Sequence, residues 1–192
     1  MTLRRKTLAA TAGALLAANC LGASAAAVNL TASQEQTHNL QLFTFSFSGV
    51  ATDAVGDGFF VLKALGDYNS DQPTEVITSV AIDGVTVATN LGPGQGNVTL
   101  LSETLYYAEW AYGLLVSEAQ LDGFLADGSV TIEVQVGPNS GVFDGSTDTG
   151  YDRPPYAEVS LRFTDATVPE PASAALAVLA LLGAATARRR RG

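Results

Sequence analysis

The 192-residue chain predicts an all-β domain: an antiparallel β-sandwich, jelly-roll-like, with an immunoglobulin-like sandwich as the alternative, and one short helix. Three observations carry this. Several stretches alternate apolar and polar residues with period two, which gives a strand one face for a core and one for water. An Asp-Gly pair, Asp83-Gly84, separates two such stretches and suits a two-residue hairpin turn. Glycine and aspartate punctuate nearly every remaining gap, as short strands joined by turns require.

Taken in order, the chain opens with Arg4, Arg5 and Lys6, runs through Ala/Leu-rich sequence from Leu8 to Leu21, and reaches small residues at Ala23-Ser24-Ala25-Ala26-Ala27. A basic start, an apolar run too short for a stable span and an A-x-A site are the three regions of a secretory signal peptide, here 1–27. The mature chain is expected to begin near Val28, with a cut after Ala25 almost as good. Its removal takes away Cys20 and Met1, the only cysteine and methionine. The exported domain then holds neither a disulfide nor a thiolate.

Residues 28–167 read as one domain by length. Phe43, Phe45 and Phe47 alternate with polar partners; so do Val130, Ile132, Val134 and Val136, and again Val159, Leu161 and Phe163. "VITSVAIDGVTVAT" supplies a hairpin about Asp83-Gly84, and "FFVLKAL" a more buried strand. Ser117 with Gln120 three residues on has the spacing of a capping box, and Leu121, Phe124 and Leu125 then share one side of a helix of about two turns. Eighteen acidic residues face only Lys63, Arg153 and Arg162 in this stretch, a formal charge of −15. Such a surface repels nucleic acid and offers oxygen ligands to hard cations.

From Ala172 to Ala187 the chain holds no charged residue, enough for a helix of about 24 Å against a hydrocarbon core of roughly 30 Å. Arg188, Arg189, Arg190 and Arg191 follow, able to snorkel and to hold the C-terminus in the cytoplasm, with the domain on the periplasmic side. Immediately before the apolar run stands Val168-Pro169-Glu170-Pro171. Motif, span and arginine cluster, residues 168–192, resemble the sorting signal of the exported PEP-CTERM proteins of Gram-negative bacteria, whose architecture is similar to that of sortase substrates. The resemblance implies that an exosortase, an integral membrane cysteine protease or transpeptidase, recognises Pro169, Glu170 and Pro171 and processes the inner-membrane precursor for the cell surface or extracellular matrix. Two prolines keep such a neck extended and open to a protease cleft.

Candidate chemistry inside the domain is sparse. His38 is the only histidine and falls in an expected lead-in segment, so neither a Ser-His-Asp arrangement nor a zinc site has its parts. The domain is expected to be non-enzymatic, without a resident cofactor; carboxylates are numerous enough for a glycosidase, but nothing marks a pair. Asp67, Asn69 and Asp71 stand at i, i+2 and i+4, the first half of a calcium loop, although Gln72 replaces its turn glycine and Thr78 its closing glutamate. A polar turn is the simpler account. "LYYAEWAYG" gathers Tyr106, Tyr107, Trp110 and Tyr112. Trp110 and Tyr112 alternate like core residues, whereas at least one of Tyr106 and Tyr107 should point outward and serve as a glycan platform, suited to an exopolysaccharide-rich surface.

Overall fold

A computed structural model describes residues 25–68, 74–95, 97–104, 107–140 and 153–165. One compact unit runs from Ala27 to Ala166, and 1–26 with 167–192 form a second unit. The described residues hold nine strands and one helix: β1 (Ala26–Glu35), β2 (Leu42–Ser48), β3 (Gly58–Gly66), β4 (Ile77–Ile82), β5 (Val85–Leu91), β6 (Val98–Glu103), β7 (Ala108–Val116), α1 (Glu118–Leu125), β8 (Ser129–Val136) and β9 (Tyr156–Asp165). Among the described residues the fold is all-β with one short helix. No helix among the described residues is long and apolar enough to cross a membrane. The span expected at 172–187, the arginine cluster 188–191, the motif 168–171 and most of the leader 1–27 lie outside the described residues.

Two sheets form. The larger has the order β1-β9-β3-β7-β6 and the smaller β2-β8-β4-β5. Period two decides which side chains meet between them. Phe43 and Phe45 on β2, Val130, Ile132, Val134 and Val136 on β8, Phe60, Leu62 and Ala64 on β3, Trp110 and Tyr112 on β7, and Val159 and Leu161 on β9 all join one buried cluster. Inner faces of both sheets therefore share a single core. Tyr68 closes edge-on against Trp110, ring centroids 5.5 Å apart. The Trp110 Nε1 is the one buried side-chain polar atom among the described residues that finds no hydrogen-bond partner.

The hairpin joining β4 to β5 turns at Asp83 and Gly84 with φ of 47° and 75°, the two positive values that a type I′ turn needs. Asp83 then ties the turn to the next strand, its N–H donating to Thr131 O and its Oδ1 accepting from Thr131 N, both at 2.8 Å. Burial raises the Asp83 carboxyl against the pull of that Thr131 bond. In α1, Gln120 Oε1 reaches back to accept from Ser117 N at 3.1 Å, and Leu121, Phe124 and Leu125 are buried beneath the helix.

β1 occupies residues read from sequence as a leader end and a lead-in. It begins at Ala26, so it overlaps the last two residues of the expected signal peptide, and a cut after Ala25 would leave the strand whole. Gln36 N donates to Pro155 O at one end of the β1–β9 pair, while Ser160 Oγ donates to Asn29 Oδ1 further along. The two strands run in opposite directions, and the start of β1 lies beside the end of β9. There Val55 N donates to Thr164 O and Ala54 bridges Asp165, so β9 is held to its last residue.

Candidate functional site

The outward face of the larger sheet is where polar chemistry collects. Register places side chains of β9, β3 and β7 in rows on this face: Tyr156, Leu65 and Glu109 in one; Glu158, Lys63 and Ala111 in the next; then Ser160, Val61 and Gly113; then Arg162, Phe59 and Leu115. Alternation alone would leave such a face wet. At the first row it does not: Leu65, Tyr107 and Tyr156 form a small second cluster, and Glu109 is only 8% exposed over it.

Glu109 is buried because three donors compensate it. Lys63 Nζ lies 2.8 Å and the Tyr156 hydroxyl 2.7 Å from Glu109 Oε1, and the Arg153 guanidinium donates to the same oxygen. Arg153 also stacks on Tyr156, 4.8 Å from the ring centroid, with Lys63 at 5.9 Å. Burial would raise the Glu109 carboxyl, but hydrogen bonds from Lys63, Tyr156 and Arg153 outweigh it and hold the group at about 2. Glu109 reciprocates by raising Lys63, while Tyr156 rises through burial first and the Glu109 bond second. A carboxylate held that low makes a poor general base near neutral pH. Two of the domain's three cations are thus committed to one carboxylate.

Beside the cluster, Ser33, Glu35, Arg153, Pro154, Tyr156 and Glu158 line a cleft of about 210 Å³. Two carboxylates share it, yet its volume falls below the roughly 300 Å³ at which small-ligand pockets begin.

Few of the expected site residues fall among the described ones. Asp67 is half-buried just past the end of β3, next to the buried Tyr68, while Asn69 and Asp71 lie outside the described residues. Among the described residues no three His, Cys, Asp or Glu side chains come together as a metal would need. Tyr107 is 2% exposed and packs in the second cluster, so it is not the ring turned outward. Tyr106 lies outside the described residues. Trp110 and Tyr112 are core side chains, and His38 is exposed in a turn with Nδ1 3.1 Å from Thr37 Oγ1. The Glu109 cluster went unread because its members, at 63, 109, 153 and 156, meet only through register. The available clue was the scarcity of cations, which makes each one a candidate partner for a buried acid.

No family model matches the chain, and no curated protein is detectably similar to it.

Proposed function

We propose that this chain is an exported, non-enzymatic surface or matrix protein: a jelly-roll β-sandwich delivered by the leader 1–27, parked in the inner membrane by 172–187 and processed by an exosortase at Pro169-Glu170-Pro171. The observation that carries the reading is the ordered C-terminal triplet of motif, uncharged run and Arg188–Arg191 cluster. The domain's construction supports it. β9 ends at Asp165, so only two residues separate the last strand from Val168. At about 3.3 Å per residue those two residues span no more than about 7 Å, so the motif follows the last strand with little spacer.

The jelly-roll assignment rests on strand order. Pairs β4·β5, β3·β7, β2·β8 and β1·β9 nest one outside the other, which is a long hairpin rolled into two Greek keys, with β6 added at the edge. An immunoglobulin-like sandwich has a different order. The glycosidase reading would need a cleft with two carboxyls about 5 to 10 Å apart and room for sugar, and the small cleft at Glu35 and Glu158 favours it little.

The test is intact mass and fractionation of the protein from its native host, beside a Glu170→Ala, Pro171→Ala double variant and a host lacking the protease. The proposal expects the wild type to lose roughly its last 20 residues and leave the inner membrane, with both controls retained. If all three keep the full tail, the protein is a tail-anchored periplasmic domain and the sorting reading fails.

A further inference from the structure

At the far end of the outward face from Glu109, a second feature takes no part in the ion cluster. Phe59, on the central strand β3, is 45% exposed, and its cross-strand partners are Arg162 on β9 and Leu115 on β7. Packing accounts for part of this: a Cβ built on Gly113 would come 2.7 Å from Phe59 Cζ, so the ring rests on that glycine and shields its backbone. It does not account for the neighbours. Leu115 is 63% exposed, and Arg162 makes no ion pair among the described residues in a domain rich in acids. An open cleft of about 400 Å³ runs along the row and is also lined by Asn29, Asp57 and Thr164. That volume is within the range of small-molecule sites.

We propose that this cleft binds a neutral glycan. The apolar face of one sugar ring packs on Phe59 and Leu115, and its hydroxyls exchange hydrogen bonds with Arg162, Asp57 and Asn29. Two of the three polar groups are already oriented. Asp57 Oδ1 accepts from Glu118 N at 3.1 Å, and Asn29 Oδ1 accepts from Ser160 Oγ at 2.9 Å, which leaves the Asn29 amide hydrogens to donate.

Other occupants fit less well. A nucleic acid or an acidic polysaccharide meets a domain of formal charge −15. An extended peptide would pair with the free edge of β1, two strands away from β3, which is hydrogen-bonded on both sides, so it would leave the Phe59 ring uncovered. A second copy of the chain would find two exposed apolar side chains flanked by an arginine and an aspartate, far short of the roughly 800 Å² per partner that a stable interface buries. A sugar matches the mixture because it is itself an apolar ring edged with hydroxyls. This inference stands independently of the sorting reading.

The test is affinity electrophoresis of the full-length chain, in a zwitterionic detergent free of sugar, through native gels containing a β-1,4-glucan, a β-1,3-glucan or a β-1,4-mannan, with alginate as the anionic control. At least one neutral polymer should retard the wild type. Phe59→Ala should weaken that retardation about tenfold, Arg162→Gln less, and Phe59→Tyr should retain it. Thermal melts check that each variant is folded, and Arg162→Gln, at an exposed site, keeps the test usable if Phe59→Ala is not. The proposal is overturned if no neutral polymer retards the protein, if only alginate does, or if folded Phe59→Ala and Arg162→Gln migrate like the wild type. It is also overturned if Phe59→Ala leaves retardation intact but turns a dimer into a monomer.

Discussion

At the scale of the residue, Glu109 is the most consequential side chain. Its carboxyl sits at about 2 in the fold against an ordinary value of 4.5, so the unfolded chain binds its proton first as the solution is acidified. The resulting stabilisation is complete above about pH 5 and disappears as pH falls toward 2. Glu109→Gln should therefore destabilise the domain at pH 7 by about 1–2 kcal/mol, a figure discounted from a fully buried pair because Lys63 and Arg153 remain partly wet. The deficit should close between pH 5 and 2. Urea unfolding of both proteins across that interval checks it, and a constant deficit down to pH 2 would show that Glu109 stabilises by packing alone. Little of this was legible in the sequence. Periodicity announces that Glu109 faces away from Trp110, but the row Tyr156, Leu65, Glu109 exists only once β3 has paired with both β7 and β9.

At the scale of the element, legibility follows how local the determining forces are. β2, β8 and β9 were readable because one buried face imposes strict alternation on a single segment, and α1 because its Gln120 cap and apolar side lie within one stretch. The β4–β5 hairpin was readable because positive φ at Asp83 and Gly84 is a local demand. β1 and β6 were not: β6 is a mostly exposed edge with no alternation, and the alternation of β1, Val28, Leu30 and Ala32 against Asn29, Thr31 and Ser33, is short, half-buried and adjoins the residues read as a leader. A tighter constraint sits at the head of β3. A Cβ on Gly58 would fall 2.7 Å from Arg162 O and 2.9 Å from Leu121 Cδ1, pressing β3 against both β9 and α1. Gly58→Ala should cost about 1–3 kcal/mol by overpacking. A chemical melt within a few tenths of a kcal/mol of the wild type would mean that α1 shifts freely on the sheet.

At the scale of the whole molecule, nesting of strand pairs makes the contacts non-local. The Asn29–Ser160 hydrogen bond links residues 131 apart in sequence, and β1 cannot pair until β9 has been made. Chains dominated by such pairings fold slowly, because the entropy of closing long loops precedes the contacts that reward it. Refolding followed by Trp110 fluorescence should occur over roughly milliseconds to seconds; relaxation in microseconds would contradict the rolled-hairpin account. An all-β class was legible from period and turns, whereas which strand neighbours which was not, since strand order is set by how the two sheets close.

The neighbouring ends of β1 and β9 also determine how the domain bears load. Because the strands run oppositely and leave at one pole, a force drawn through both ends opens their ladder one hydrogen bond at a time, like a zip, and meets little resistance. A force drawn through the β9 end alone, with the other end released, has no second grip and passes nothing through that ladder. If, as proposed, 1–27 is a leader cut near Ala25 or Ala27 and 172–187 an anchor, the cut turns a domain that two tethers can peel open into one that trails on a single cord.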